Sequence, residues 1–328
     1  MALTDAELIA KRSASYASAL LGFPKHSPED VANYLRDPGI NLASDAWVVL
    51  DPDGAFAGSA TAVPITGGTH LNVDILSTNP IVLDWLLTQA EHRARAVAAE
   101  RSQARAVGPE AGRSQTREVD QEARAVGDEV VVRVGVIRQD RVLPGVLAAH
   151  GFTVGTSTHR MRITFDGPVP APAVPEGVVV RRGAPDEAIR RAAHSVLMKA
   201  FADQPGTLPR PFEDWAASRE SRSTFDWSQV TVVEVDGRAV GMTECNHNFV
   251  TTDNCGYVGR LAVIPSARGR GLAKFLLRNA FATDAAAGRT GTILHVDAAN
   301  PTPAVALYTR AGMHPDLTSD IWTKTIHP

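Results

Sequence analysis

Disulfides, metal clusters, membrane spans and strong net charge are all missing from this chain, and each absence excludes a class of function. Only two of its 328 residues are cysteines, Cys245 and Cys255. A hairpin turn around Thr252-Asp253-Asn254 would set Cys255 opposite a residue near Val250 rather than opposite Cys245. A disulfide is therefore not expected, and a reduced cytoplasmic chain is. No apolar run approaches the ~18 residues of a membrane span. The opening Ala2-Leu3-Thr4-Asp5-Ala6-Glu7 puts no basic region ahead of an apolar one, as a secretory signal would. Instead Thr4 and Glu7 are spaced as a capping box for an amphipathic helix that Gly22 can end. With 33 basic and 36 acidic side chains the net charge is −3, which gives no reason to expect nucleic acid or an anionic membrane as partner. Ten histidines show no metal-ligand spacing, so no metal is expected. What is present is ordinary globular composition, 44% apolar and 21% charged, in a chain long enough for two cores.

The most informative stretch is Val263-Ile264-Pro265-Ser266-Ala267-Arg268-Gly269-Arg270-Gly271-Leu272-Ala273. The apolar strand Gly256 to Val263 enters it, and the helical stretch Leu272 to Phe281 leaves it. Pro265 offers no donor to a strand ladder, so the chain turns there. Two glycines and two arginines at a helix start supply uncrowded backbone N–H groups, a positive helix end and two cations, a combination that binds a pyrophosphate. A Walker loop needs Lys-Ser/Thr after its last glycine, and Leu272-Ala273 stand there. A dinucleotide fingerprint needs a third glycine where Lys274 stands.

The string Arg268-x-x-Gly271-x-Ala273 after a strand resembles the acyl-coenzyme A loop of the GNAT superfamily of N-acyltransferases. Farther on, the strand Thr292 to Asp297 precedes Asn300 and a short helix carrying Leu307-Tyr308 and ending at Gly312-Met313, similar to the family's second signature. The resemblance covers roughly 178–326. It implies acetyl-CoA as cosubstrate, held by Arg268, Gly269, Arg270, Gly271, Leu272 and Ala273, by the backbone of Leu261 and Val263, and by Asn300. It implies Tyr308 as the acid that protonates the departing thiolate. The family's usual glutamate base has no counterpart in Tyr257-Val258-Gly259. On the neighbouring strand Glu244 is the first candidate, directly or through water, and His247 the second. Asp203, Glu213 and Trp215 resemble an acceptor-side pattern of tandem members: two acids for a cationic amine and one aromatic face. The acceptor is expected to be a small-molecule amine. A protein N-acetyltransferase and a non-catalytic CoA-sensing protein are the alternatives.

The same pattern occurs twice. Trp47 to Gly58 reads as strand, Asp-Gly turn, strand, and Val232 to Gly241 repeats it with Asp-Gly 183 residues on. Leu147 to Phe152 likewise parallels Leu307 to Met313. The expected architecture is α/β with mixed sheets: a degenerate GNAT-like domain over 1–165, a stiff proline-rich linker over 166–177 and an active domain over 178–328. The first copy lacks the pyrophosphate loop. Its Ser77-Thr78-Asn79-Pro80 has no glycine and no arginine, although Asn79 and Pro80 suit a helix start. It also carries about 22 extra residues, assigned to the mixed-charge tract around 91–127, which reads as an elongated surface helix and loop.

Overall fold

The computed structural model describes residues 1–65, 68–106, 129–202, 210–300 and 302–327. The first half contains α1 (Ala6–Leu21), α2 (Pro28–Leu35), α3 (Leu42–Asp45), β1 (Ala46–Leu50), β2 (Phe56–Ile65), β3 (His70–Leu76), α4 (Pro80–Ala106), β4 (Val130–Ile137), α5 (Leu143–Ala149) and β5 (Thr153–Thr164). The second contains β6 (Val178–Arg182), α6 (Glu187–Phe201), α7 (Phe212–Glu220), β7 (Val230–Val235), β8 (Arg238–Asn246), α8 (Val250–Asp253), β9 (Cys255–Val263), α9 (Leu272–Ala286), β10 (Gly291–Asp297), α10 (Ala304–Arg310) and β11 (His314–Ile326). The mixed α/β class is as expected.

Two compact units result, and they do not follow the boundary read from the sequence. One comprises residues 1–8, 39–155 and 320–328; the other comprises 9–38 and 156–319. Segment 166–177 has no regular secondary structure, yet it does not divide the packing. β5, which precedes it, pairs antiparallel with β10 from Thr158↔Asp297 to Thr164↔Gly291, covering an edge of β10 that would otherwise expose its ladder groups. Residues 9–38 are tied into the same unit: Asn33 Nδ2 donates to Ser223 Oγ at 3.0 Å, and Arg222 Nη2 donates to Asp37 Oδ2 at 3.0 Å.

Each unit builds the same core plan. In the first, β1, β2 and β3 are antiparallel neighbours and β3 pairs parallel to β4. A parallel pair needs a crossover, and α4 provides it. In the second, β6 to β9 are antiparallel and β9 pairs parallel to β10, with α9 as the crossover. The hairpins match in detail. Val49 faces Gly58 and Val233 faces Gly241, each followed by a register shift in the first strand. Both glycines permit close packing beneath the crossover helix. A Cβ on Gly58 would meet Val82 of α4, and one on Gly241 would meet Val233 and Leu276 of α9. The turns differ: Asp236 and Gly237 both have positive φ, as a two-residue type I′ turn requires, whereas the first hairpin places only Gly54 there.

Two local expectations change. The first helix is not capped by Thr4 and Glu7; the Asp5 carboxylate accepts the Ala2 N–H at 2.7 Å within a preceding 3-10 turn. Gly22 does end α1 with φ 82°. The charged tract is only partly a surface helix. Leu83, Leu87, Ala90, Ala94, Val97 and Ala98 recur at helical spacing along α4 and are buried in the first core. The remainder of that tract, 107–127, lies outside the described residues.

In the second unit Asp284 of α9 is half-buried, and Thr292 Oγ1 donates to its Oδ2. Burial pushes the Asp284 carboxyl up from 3.8 to about 6. The folded state therefore holds this proton more tightly than the unfolded chain. The associated stability is complete below pH ~4 and is lost as pH rises through ~6. Asp284→Asn should match wild type at pH 4 and exceed it by about 1 to 3 kcal/mol at pH 8. Urea unfolding at the two pH values measures this, and a difference independent of pH would refute it.

Candidate active site

β9 stays with β10 for three pairs only, Cys255↔Gly291 to Tyr257↔Ile293. On its other edge it follows β8 to Val263, with a register shift between Glu244 and Cys245. Such a bulge bends a strand and sharpens its twist. Past Tyr257 the two strands part, and a cavity of about 440 Å³ opens between Val258–Leu261 of β9 and Leu294–Asp297 of β10. Side chains of α6 and α7, with Arg210, Asn300 and Tyr308, contribute the rest of its described lining. The β9 edge that faces away from β8 carries no ladder bonds to β10 here, so an extended ligand can add to it as a strand does.

The strand then runs into the glycine loop. Gly269 and Gly271 have φ of 79° and 76°, and nothing lies within 4 Å of the position a Cβ would take at either. Gly271 is the N-cap of α9, and no side chain caps the helix. Its first N–H groups and the positive end of a 15-residue helix are therefore available to an anion. Arg268 braces the loop: Nε donates to Val263 O at 3.3 Å and Nη2 to Ala200 O at 3.1 Å. Arg270 is exposed, whereas the Leu272 side chain is buried core, which leaves its backbone alone to bind. The corresponding helix start in the first unit is closed. Asn79 Oδ1 accepts the Ile81 N–H at 2.9 Å, and Ser77 Oγ donates to Ala57 O at 2.8 Å while accepting from Asn79 N.

The cavity brings Tyr308, Asn300, Leu261 and Trp215 together. Burial raises the Tyr308 phenol above its usual range, so it is protonated at neutral pH. Asn300 Oδ1 accepts from Thr302 N at 2.9 Å and Thr302 Oγ1 at 2.7 Å, fixing the turn into α10. Glu244 is buried and ion-paired to Arg219, with Nε–Oε2 at 3.1 Å. It is Arg219, not Glu244, that reaches the cavity lining. Burial lowers Arg219 to about 10, which keeps it charged at neutral pH, and its guanidinium lies 4.9 Å from the Trp215 ring centroid. Trp215 is 1% exposed, stacked among His194, Phe212 and Trp227, and its Nε1 has no hydrogen-bond partner.

Other expected residues lie elsewhere. Glu213 is exposed, pairs with Arg191 at 3.2 Å and is absent from the cavity lining. His247 contacts Gln229 and also lies outside the lining. Asp203 lies outside the described residues. Sequence reasoning missed His295, which lines the cavity with its Nδ1 3.2 Å from the Tyr257 hydroxyl. Its ring keeps contact with solvent in the cavity but is flanked by protein on most sides. This desolvation, with Lys25 and Arg160 nearby, holds its pKa down to about 4, so it is neutral at pH 7. The signal was present: in Leu294-His295-Val296 the strand period puts the imidazole on the face opposite its apolar neighbours.

Comparison with known proteins follows the same lines. Residues 193–313 match the acetyltransferase (GNAT) family. A mycothiol acetyltransferase of Thermobispora bispora is 32% identical over 50% of this chain and 56% of its own length. One from Thermomonospora curvata is 34% identical over 45% and 48%. The chain thus spans about half the length of the curated relatives it matches. A GCN5-related N-acetyltransferase from Sphaerobacter thermophilus superposes with a TM-score of 0.75 at 25% identity, covering 100% of this chain and 95% of that one. A tandem GNAT protein from the clavulanic acid biosynthesis pathway gives a TM-score of 0.65 at 17% identity over 100% and 98%, a likeness of fold.

Proposed function

We propose that the second unit, whose residues 193–313 match the acetyltransferase (GNAT) family, transfers acetyl from acetyl-CoA to the amine of a small molecule. The observation that carries this is the contrast between the two crossover helices. α9 starts at two glycines with a bare N-terminus that runs on from the cavity strand, whereas α4 starts at a self-capped Asn-Pro. The bare helix end suits a diphosphate, and the freed edge of β9 at Leu261 and Val263 suits the pantetheine amides. Tyr308 holds a proton at the cavity for the thiolate that leaves when the amine attacks the thioester carbonyl. Removal of the amine proton falls to the neutral imidazole of His295 in the cavity lining, since Glu244 lies buried behind Arg219.

Calorimetry with acetyl-CoA should give one site per chain, since the corresponding helix start of α4 in the first unit is closed. Two sites would overturn the assignment of α4 as silent. A thiol-release assay with small amines and with peptides bearing a free N-terminus or lysine should show turnover of the small amines. Turnover of peptides alone would move the reading to protein acetylation.

A further inference from the structure

We propose that the amine accepted by this site also carries an anionic group, a carboxylate or a phosphate, which Arg260 and Arg210 hold. This deepens the acetyltransferase reading and rests on it. Among the described residues the cavity is lined by three guanidinium groups, from Arg210, Arg219 and Arg260, against one carboxylate, that of Asp297. Arg219 is neutralised by Glu244 behind it. Arg260 sits opposite Glu244 across β8 and β9, but its Nη1 donates to the Gly259 carbonyl at 2.7 Å. Among the described residues no carboxylate pairs with Arg260 or Arg210 within 4.0 Å. Asp297 is already engaged, its Oδ1 accepting from Thr156 Oγ1 at 2.7 Å and from Ala299 N at 2.8 Å. His295 is neutral and adds no charge.

Among the described residues the cavity therefore carries surplus positive charge, supplied by the exposed side chains of Arg260 and Arg210, which an incoming anion can reach. An acceptor with only a cationic amine would be repelled there, and Glu213 is not placed to offset this. An acceptor bearing a carboxylate or phosphate gains charge-assisted bonds, and a guanidinium presents paired donors that suit either group. The same positive field lowers the pKa of the acceptor's ammonium, raising the fraction of neutral, nucleophilic amine. The CoA diphosphate does not account for these arginines, because Arg268, Arg270 and the α9 N-terminus serve it from the loop beyond Val263.

The test uses the full chain saturated with acetyl-CoA and matched amines: alanine with alaninamide, and glucosamine 6-phosphate with glucosamine. Melting temperature and thiol release are read for each. At least one anionic member should raise the melting temperature and react about tenfold or more faster than its neutral partner, and which pair responds separates carboxylate from phosphate. The Arg260→Gln/Arg210→Gln double variant should bring the two members within about twofold, with calorimetric CoA affinity unchanged. Arg260→Glu should reverse the preference. Neutral members that bind and react as well as their anionic partners in both pairs would overturn the proposal, as would no melting shift from any of the four. An anion-dependent melting shift without thiol release would uphold the anion site and remove the transferase reading instead.

Discussion

Gly271→Val should bind acetyl-CoA about 100-fold more weakly than wild type in calorimetric titration. Gly271 has φ 76°, a region that a β-branched residue enters only with strain, and its missing Cβ faces open space at the bare end of α9. A valine there fills the approach of the diphosphate and shifts the N–H groups that would receive it. Loss of two charge-assisted bonds, each worth about 1.5 to 3 kcal/mol, accounts for a factor of this size or more. Gly271→Asn separates obstruction from strain, because asparagine tolerates left-handed backbone while still projecting a side chain into the same space. It should keep the wild-type melting temperature and still lose about tenfold in affinity. Wild-type affinity in both variants would end the assignment of the loop.

The part of the site that was legible in the sequence is the part built from neighbours in the chain. Arg268 to Ala273 are one turn and one helix start, so spacing alone placed the glycines and the helix end, whereas Tyr308 came from the resemblance to the family's second signature. The duplication was legible for the same reason, since each hairpin and its glycine form a local unit. What the sequence did not yield are juxtapositions across long separations. β5 lies on the near side of the linker in sequence yet pairs with β10 beyond it, because an open strand edge takes whatever partner the chain can supply. Residues 9–38 join the second unit through polar contacts at Asn33 and Asp37 that no periodicity announces. Glu213 has the residue type of an amine-binding acid, but its helix turns it to solvent and Arg191. Glu244 was found by strand alternation; its ion pair with Arg219, 25 positions away, was not. That pair changes the chemistry, because it puts a guanidinium where a bare carboxylate was expected.

Tyr308→Phe should lower kcat by about 100-fold while leaving acetyl-CoA affinity little changed. The phenol lines the cavity, its hydroxyl has no hydrogen-bond partner among the described residues, and burial keeps it protonated. Phenylalanine preserves the ring's packing against the core that holds Val258, Leu294 and Met313, so the fold should be intact and only the donor is lost. A tyrosine that serves packing alone predicts the opposite pattern: Phe silent in rate, and Ala destabilising by leaving a cavity. The raised phenol pKa also sets the pH dependence. Because burial raises the phenol above its ordinary range, the wild-type rate should show no loss of the acid across pH 7 to 9. A folded Tyr308→Phe variant with wild-type kcat, measured where chemistry limits turnover, would remove the acid role. The transferase reading would survive that result, since water in the cavity would then protonate the thiolate, and a solvent isotope effect on kcat, present in both proteins, would identify that route.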